Sequence, residues 1–164
     1  MSDHRADRKD GGALIAENRK ARHDYLIEET VEAGIALMGS EIKSVRAGRV
    51  NLREGYVRIE KGEAWLLNAH ISVWPQAGTH FNHEPTRPRK LLLHSDEIVH
   101  LRSKVEQKGL TLVPLKMYFV KGRAKIEVAV ARGKKLYDKR DAMAERDSQR
   151  EMERDVREQS KVSY

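Results

Sequence analysis

The chain has 164 residues, which suffice for one well-buried domain but not for two. A formal net charge of +7 favours a polyanionic partner such as nucleic acid, because neutralised phosphates release their counterions. The absence of cysteine excludes disulfides, cysteine-based zinc fingers and thiol catalysis. No apolar leader and no run of membrane-spanning length are found, so we expect a cytoplasmic protein without a membrane partner.

The first part of the chain predicts an arm, a strand and a short helix. Residues 1–13 are mostly polar and carry two adjacent glycines, which is typical of a flexible arm. Residues 24–37 contain strand-like apolar runs, in which Gly34 predicts a bulge or a bend. Ser40 is expected to cap a helix that ends at Gly48.

The middle of the chain predicts a hairpin, a loop and a second helix. Residues 56–60 alternate between apolar and polar, and a turn at Lys61-Gly62 joins them to a partner strand within 63–74. Three of the four prolines lie within 75–88, which indicates a loop. A helix is expected over 95–108, with acidic residues at its positive end and an apolar face.

A second hairpin is predicted near the end of the folded part. Its strands are 110–120 and 123–131, the turn is Lys121-Gly122, and Pro114 marks an edge or a bulge. Short hairpins with two or three short helices favour a mainly β fold. The best-populated choice is a five-stranded antiparallel Greek-key barrel of the oligonucleotide-binding (OB-fold) kind. A small SH3-like barrel and an α+β roll are the alternatives.

Three regions follow from this pattern: an N-terminal arm (1–13), a barrel (14–135) and a C-terminal tail (136–164). The tail lacks glycine and proline and has opposite charges at helical spacings, such as Glu153 and Arg157. Such pairs contribute only about 0.2–0.5 kcal/mol each, too little for a solitary helix. We therefore expect a tail that is disordered when free and helical when docked. A solubilising tail without a role is the alternative.

Positive charge is concentrated near the end of the barrel. Residues 116–135 include seven Lys and Arg against one acidic residue, whereas residues 134–164 include nine against eight. Basic and aromatic side chains also interleave in clusters, which can combine phosphate neutralisation with base stacking. The clusters are Arg19, Lys20, Arg22, His23 and Tyr25; Arg87, Arg89, Lys90 and His94; and Lys121, Arg123, Lys125, Arg132, Lys134, Lys135 and Tyr137. A core position is the alternative for Tyr25.

The sequence gives little support to catalysis. His80 and His83 have the spacing of metal ligands but lack a third ligand at a recognisable distance, so a metal-dependent hydrolase is a weak hypothesis. No nucleophile elbow, phosphate-binding loop or dinucleotide-binding turn is present. We expect no enzymatic activity, no cofactor and no metal.

Five ordered segments resemble the successive motifs of the small protein B (SmpB) family, the SsrA-binding proteins. They are IAENRKARHDY (15–25), EAGIALMGSEIKSVRAG (32–48), TRPRKLLLH (86–94), GLTLVPL (109–115) and GKKLYDKR (133–140). The resemblance extends from about residue 14 to 154. It implies an OB-fold barrel that binds the tRNA-like domain of transfer-messenger RNA (SsrA RNA).

The resemblance also implies a biological role. Members of this family bring transfer-messenger RNA to stalled ribosomes and enable trans-translation, in which the incomplete peptide is tagged. The implied partners are this RNA, the small-subunit decoding centre with its ribosomal RNA, and elongation factor Tu through the charged RNA; we expect a monomer. A general ribosome-associated RNA-binding barrel without a tagging role is the alternative.

Residue by residue, the resemblance implies two sets. Residues that match positions where the family contacts or supports its RNA are Asn18, Tyr25, Glu32, Leu92 and Lys125. Residues that match the start of the tail in the decoding centre are Tyr137, Asp138, Lys139 and Arg140. Together with the basic clusters, the predicted RNA-binding set is Asn18, Arg19, Arg22, His23, Tyr25, Glu32, Arg89, Lys90, Leu92, Arg123, Lys125, Lys134 and Lys135.

Two members of this set are chemically unusual for RNA binding. Glu32 cannot neutralise a phosphate, so we expect it to accept hydrogen bonds from a base or a 2′-hydroxyl, or to orient a basic neighbour. Leu92 lies in an apolar run, and a core position with an indirect effect on binding is its alternative.

Overall fold

The computed structural model describes residues 13–78, 80–107, 109–134 and 136–162. The strands in these ranges are β1 (Leu14–Glu17), β2 (Tyr25–Ile35), β3 (Val50–Asn51), β4 (Tyr56–Glu60), β5 (Glu63–Leu67), β6 (His70–Ile71), β7 (Arg89–Leu92), β8 (Leu110–Val120) and β9 (Arg123–Gly133). The helices are α1 (Arg19–Asp24), α2 (Gly39–Arg46), α3 (Ser95–Val105) and α4 (Leu136–Val162). The chain divides into two compact units, of which the first ends at Gly133 and the second begins at Lys134.

The strands of the first unit close into an antiparallel barrel. The sheet order is β1-β8-β4-β5-β7-β2-β9, and β9 also pairs with β8, so six strands form a ring. β4 and β1 pair with successive parts of the long strand β8. The predicted mainly β, antiparallel architecture is confirmed, although the ring has six strands and not five. Its assignment to the OB-fold stays a prediction.

Gly34 marks the point where β2 changes partners. It lies opposite Lys125 of β9 and also opposite Leu92 of β7. A Cβ atom on this glycine would lie 3.1 Å from the Leu92 Cβ, tighter than ordinary van der Waals contact. The register shift in β2 lies earlier, between Ile27 and Glu29. Gly34 therefore permits a close approach of strands, and the bulge lies elsewhere.

Both predicted hairpins are confirmed. Lys61-Gly62 and Lys121-Gly122 have positive φ at both positions, the geometry of the tight turns that suit twisted strands. The register of β8 shifts between Pro114 and Lys116, where a proline cannot donate to the ladder. The predicted partner strand within 63–74 is divided, because Asn68 has φ of 58° and β6 pairs with β3 instead.

The core fills the barrel and extends beneath two helices. Val45 of α2 and Leu101 of α3 are buried against it. The strands contribute further fully buried side chains, namely Leu66, Ile71, Leu91, Leu112, Met117 and Ile126. A smaller cluster joins Ala21 of α1 to apolar side chains of β8 and β9, which fixes α1 on that part of the sheet.

The helix boundaries differ in part from those expected. α1 was not predicted; its signal is Asn18, whose side-chain oxygen accepts a hydrogen bond from Ala21 N. The expected cap at Ser40 is wrong, because Ser40 lies inside α2 and Met38 precedes the helix. α3 begins at Ser95 as predicted but ends at Val105.

The second unit contains the long helix α4, Leu136–Val162. The helical spacing of its charges is therefore realised in the structure. Disorder of this tail in the free protein, and its ordering on a partner, stay predictions. No helix in the described part of the chain combines the length and apolar character needed to cross a membrane.

Candidate nucleic-acid interface

Three of the predicted RNA-binding residues meet where β2, β7 and β9 converge. Glu32, Leu92 and Lys125 line one cavity of about 410 Å³. Leu92 is 56% exposed, so the alternative that places its side chain in the core is wrong. The change of pairing at Gly34 places Leu92 and Lys125 on opposite sides of the same β2 residue.

The Glu32 carboxylate is held by a neighbour that the sequence analysis did not single out. The Tyr118 hydroxyl donates a hydrogen bond to Glu32 Oε2. The ammonium of Lys116 lies 5.7 Å from the centre of the Tyr118 ring and 3.3 Å from Glu127 Oε2. The sequence contained a pattern that could have added Tyr118 to the predicted set, because Tyr118 stands two residues from the cation Lys116 on the same face of β8. The carboxylate is thus oriented as a hydrogen-bond acceptor beside Lys125.

A second cavity of about 320 Å³ adjoins the first and shares Gly34, Leu92 and Lys125 with it. Its wall is apolar, and Arg46 of α2 and Arg123 of β9 add two further cations. Lys125 makes no ion pair with any described residue, which leaves its ammonium available for a phosphate. The two cavities form one surface that combines cations, an apolar wall and an oriented acceptor.

The basic cluster of α1 lies at a different place. A cavity of about 330 Å³ is lined by Lys20, Tyr25 and Tyr56 among others, and shares no residue with the two cavities around Lys125. Tyr25 is half-buried and packs against the smaller core cluster. The exposed arginines and the lysine of α1 lie near carboxylates, Arg19 and Arg22 near Glu17 and Lys20 near Glu54. The ring of His23 lies beside the carboxylate of Asp24. This cluster is therefore partly neutralised.

Asn18 serves the fold directly. It is 3% exposed, and its amide nitrogen donates to Leu52 O at 3.1 Å and to Pro114 O at 2.9 Å. Its oxygen accepts from Ala21 N at 3.1 Å. Because these groups are occupied, the Asn18 side chain joins α1 to β8. This geometry favours an indirect role, in which Asn18 supports the fold, over direct contact with the RNA.

The prediction that Arg89 belongs to the RNA-binding set is wrong. It is fully buried, and its guanidinium donates to Glu41 Oε2 and to Ala69 O, so it faces the interior and not a phosphate. Burial would raise the pKa of Glu41, but hydrogen bonds from Met38 N, Arg87 and Arg89 outweigh it and lower that pKa. Lys90, the next residue, is exposed and lies 3.3 Å from Glu63 Oε1.

The remaining predicted residues belong to the second unit. Lys134 is half-buried, and Lys135 lies outside the described residues. Tyr137, Asp138, Lys139 and Arg140 lie in the first turns of α4, and their side chains are outside the part of the chain that the structure describes.

The histidine pair is divided between two environments. His83 is 5% exposed, and its ring nitrogens lie 2.8 Å from Ser40 Oγ and 2.8 Å from Ile71 O. Since a carbonyl can only accept, Nε2 carries the proton and Ser40 donates to Nδ1 when the ring is neutral. His80 is exposed. Both nitrogens of His83 are thereby engaged in tying α2 to β6.

Comparison with known proteins gives a consistent result. The model of the family described as SmpB protein matches residues 15–158. The SsrA-binding protein of Roseiflexus sp. (strain RS-1) is 62% identical over 148 residues, which cover 90% of this chain and 94% of the relative. The SsrA-binding protein of Carboxydothermus hydrogenoformans is 62% identical over 144 residues, covering 88% and 96%.

A solved structure is also similar. One chain of "tmRNA-SmpB: a journey to the center of the bacterial ribosome" is 52% identical, with a TM-score of 0.65, and the match covers 78% of this chain and 93% of that one. The sequence and structure comparisons therefore agree, and this chain belongs to the SmpB protein family.

Proposed function

We propose that this protein binds the tRNA-like domain of transfer-messenger RNA and brings it to stalled ribosomes, enabling trans-translation. The observation that carries the proposal is the surface formed by Glu32, Leu92 and Lys125 in a chain of the SmpB family. The protein acts as a binding adaptor in the cytoplasm, without catalysis. Elongation factor Tu associates with this protein through the charged RNA.

The chemistry of this surface supports recognition of a folded RNA. Lys125, Arg123 and Arg46 provide cations for phosphates, and the apolar wall at Leu92 can pack against a sugar or a base. The oriented carboxylate of Glu32 accepts a hydrogen bond from a 2′-hydroxyl or a base amine. Cations alone would bind any nucleic acid, so the acceptor and the apolar wall are the groups that select among RNAs.

In this proposal the barrel binds transfer-messenger RNA and the tail acts in the decoding centre. The barrel unit carries the cavities around Lys125, and the second unit carries the segment that resembles the family's decoding-centre tail. Residues 138–164 contain seven Lys and Arg against eight acidic residues, so they add little to the attraction for RNA. Tyr137 provides an aromatic ring at the start of this tail, where a ribosomal base can stack on it.

A binding assay with two RNAs tests the proposal. We expect roughly 10 nM affinity or tighter for transfer-messenger RNA, with a steep loss of affinity as salt is raised. An elongator tRNA should bind at least about tenfold more weakly, a free-energy difference of about 1.4 kcal/mol. Equal affinity for both RNAs would leave only a general RNA-binding barrel.

Substitutions locate the binding surface. Lys125→Ala should weaken binding and reduce the salt slope by about one, because one phosphate contact is lost. Arg58→Ala is the matched control: this exposed cation of β4 lines neither cavity around Lys125. If both substitutions had the same effect, the charge of the whole protein and not this surface would govern binding.

A further inference from the structure

A second surface of the barrel unit has the composition of a base-binding site. Phe81 is 80% exposed and lines a depression of about 460 Å³, together with Met38, Gly39, Ser40, Lys43, Gln76 and Ala77. Neither the sequence motifs nor the proposed RNA surface accounts for this aromatic ring. A phenylalanine that is 80% exposed removes little apolar area from water, so the fold gains little from it.

The two residues that follow Phe81 are held in place by their side chains. The side chain of the adjacent Asn82 accepts a hydrogen bond from Trp74 N at 2.9 Å and donates to Trp74 O at 2.9 Å and to Gly78 O at 2.8 Å. On the next residue, the buried ring of His83 ties the loop to Ser40 of α2. A ring carried on a backbone that is fixed on its C-terminal side loses less conformational entropy when a partner stacks on it than a ring on an unrestrained segment.

The lining groups match a nucleotide. The ring of Phe81 offers a face for stacking, and the Gln76 amide can donate to and accept from a base edge. Lys43 supplies a cation for the attached phosphate, and the lining residues include no carboxylate. A cation without a nearby carboxylate favours a nucleic acid as the occupant over an apolar protein segment that lacks acidic residues.

Helix α2 connects this depression to the proposed RNA surface. Ile42 and Arg46 of α2 line the cavity that contains Leu92 and Lys125, whereas Lys43 of the same helix lines the depression with Phe81. An RNA strand bound at Lys125 can therefore cross α2 over exposed cations and reach Phe81.

We propose that Phe81 is a stacking site for one unpaired base of transfer-messenger RNA, with Lys43 contacting its phosphate. The inference rests on the proposed function, because it extends the same RNA across α2. It adds a contact that depends on an aromatic face, which salt affects much less than it affects the phosphate contacts.

Affinity measurements on the full chain test the stacking site. Phe81→Ala should weaken binding of transfer-messenger RNA about 5- to 150-fold with an unchanged salt slope, as expected for loss of one stacked base. Phe81→Tyr keeps the ring and should bind within about twofold of the natural protein. Val99→Ala is the matched control, since Val99 on α3 is 66% exposed and lines neither surface.

A photocrosslink provides a direct measurement. With p-benzoylphenylalanine in place of Phe81, irradiation of the complex should crosslink transfer-messenger RNA at one position, and the same group in place of Val99 should not. Equal affinities of Phe81→Ala and Val99→Ala would overturn the stacking site, as would an RNA crosslink no stronger from position 81 than from position 99. If Lys125→Ala still weakened binding in that case, the proposed function would stand without this site. Failure of the natural protein to prefer transfer-messenger RNA would overturn both.

Discussion

Glu41 and Arg89 form an ion pair in which both side chains are completely buried. Glu41 lies in the first turn of α2 and Arg89 begins β7, 48 residues later. The same carboxylate accepts hydrogen bonds from Met38 N and from Arg87. The pair therefore links the start of α2, the loop before β7 and β7 itself. These elements position the surface around Lys125 and the depression that contains Phe81.

Removing the charge of Glu41 should destabilise the barrel strongly. Glu41→Gln leaves the buried guanidinium of Arg89 without its counter-charge, and such losses cost about 3–5 kcal/mol. Urea unfolding followed by circular dichroism measures the effect. Glu63→Gln removes the partner of the exposed Lys90 and should cost less than about 1 kcal/mol. Similar costs for the two variants would contradict a special role of the buried pair.

The stability contributed by Glu41 should depend on pH in the acidic range. Its pKa in the folded protein is lowered from an ordinary value of about 4.5, so the unfolded chain binds the proton more readily. The contribution is therefore fully present above about pH 4.5 and is lost as the pH falls through the lowered pKa. Unfolding curves of the natural protein and Glu41→Gln should converge as the pH is lowered. A difference that is constant from pH 7 to pH 3 would contradict this assignment.

Asn18→Ala should affect stability more than the intrinsic affinity for RNA. It removes the helix cap of α1 and leaves the carbonyls of Leu52 and Pro114 without their donor, which we expect to cost about 2–4 kcal/mol. Asn51→Ala removes an exposed hydrogen bond that Arg53 N donates to Asn51 Oδ1, and it should cost less than about 1 kcal/mol. Below the unfolding temperature, RNA titration of Asn18→Ala should give nearly natural affinity. A large affinity loss in folded protein would make Asn18 a direct contact.

Removal of residues 138–164 should separate RNA binding from tagging. The removed segment has nearly balanced charge, so affinity for transfer-messenger RNA should change by less than about threefold. Tagging of a peptide on a ribosome stalled at a message end should be lost. Tyr137→Ala in the full chain should retain RNA binding and reduce tagging. If truncation abolished binding to the free RNA, the division between barrel and tail would be wrong.

Much of this molecule follows from local sequence. The turns at Lys61-Gly62 and Lys121-Gly122, the irregularity at Pro114 and the start of α3 were predicted, because turn chemistry and apolar periodicity act over a few residues. The motifs also indicated the family, and with it Glu32, Leu92 and Lys125.

Tertiary structure decided which of these residues face solvent. Arg89 and Lys90 are adjacent cations in the sequence, yet β7 directs the first into the core and the second outward, because side chains alternate along a strand. Glu41, the partner that makes burial of Arg89 tolerable, lies far away in the chain, so no local pattern reveals the pair. The same reason applies to Tyr118 and Glu32, which only the closed barrel brings together. Sequence determined the strands, the turns and the chemistry available, whereas barrel closure decided which cations are free to meet an RNA.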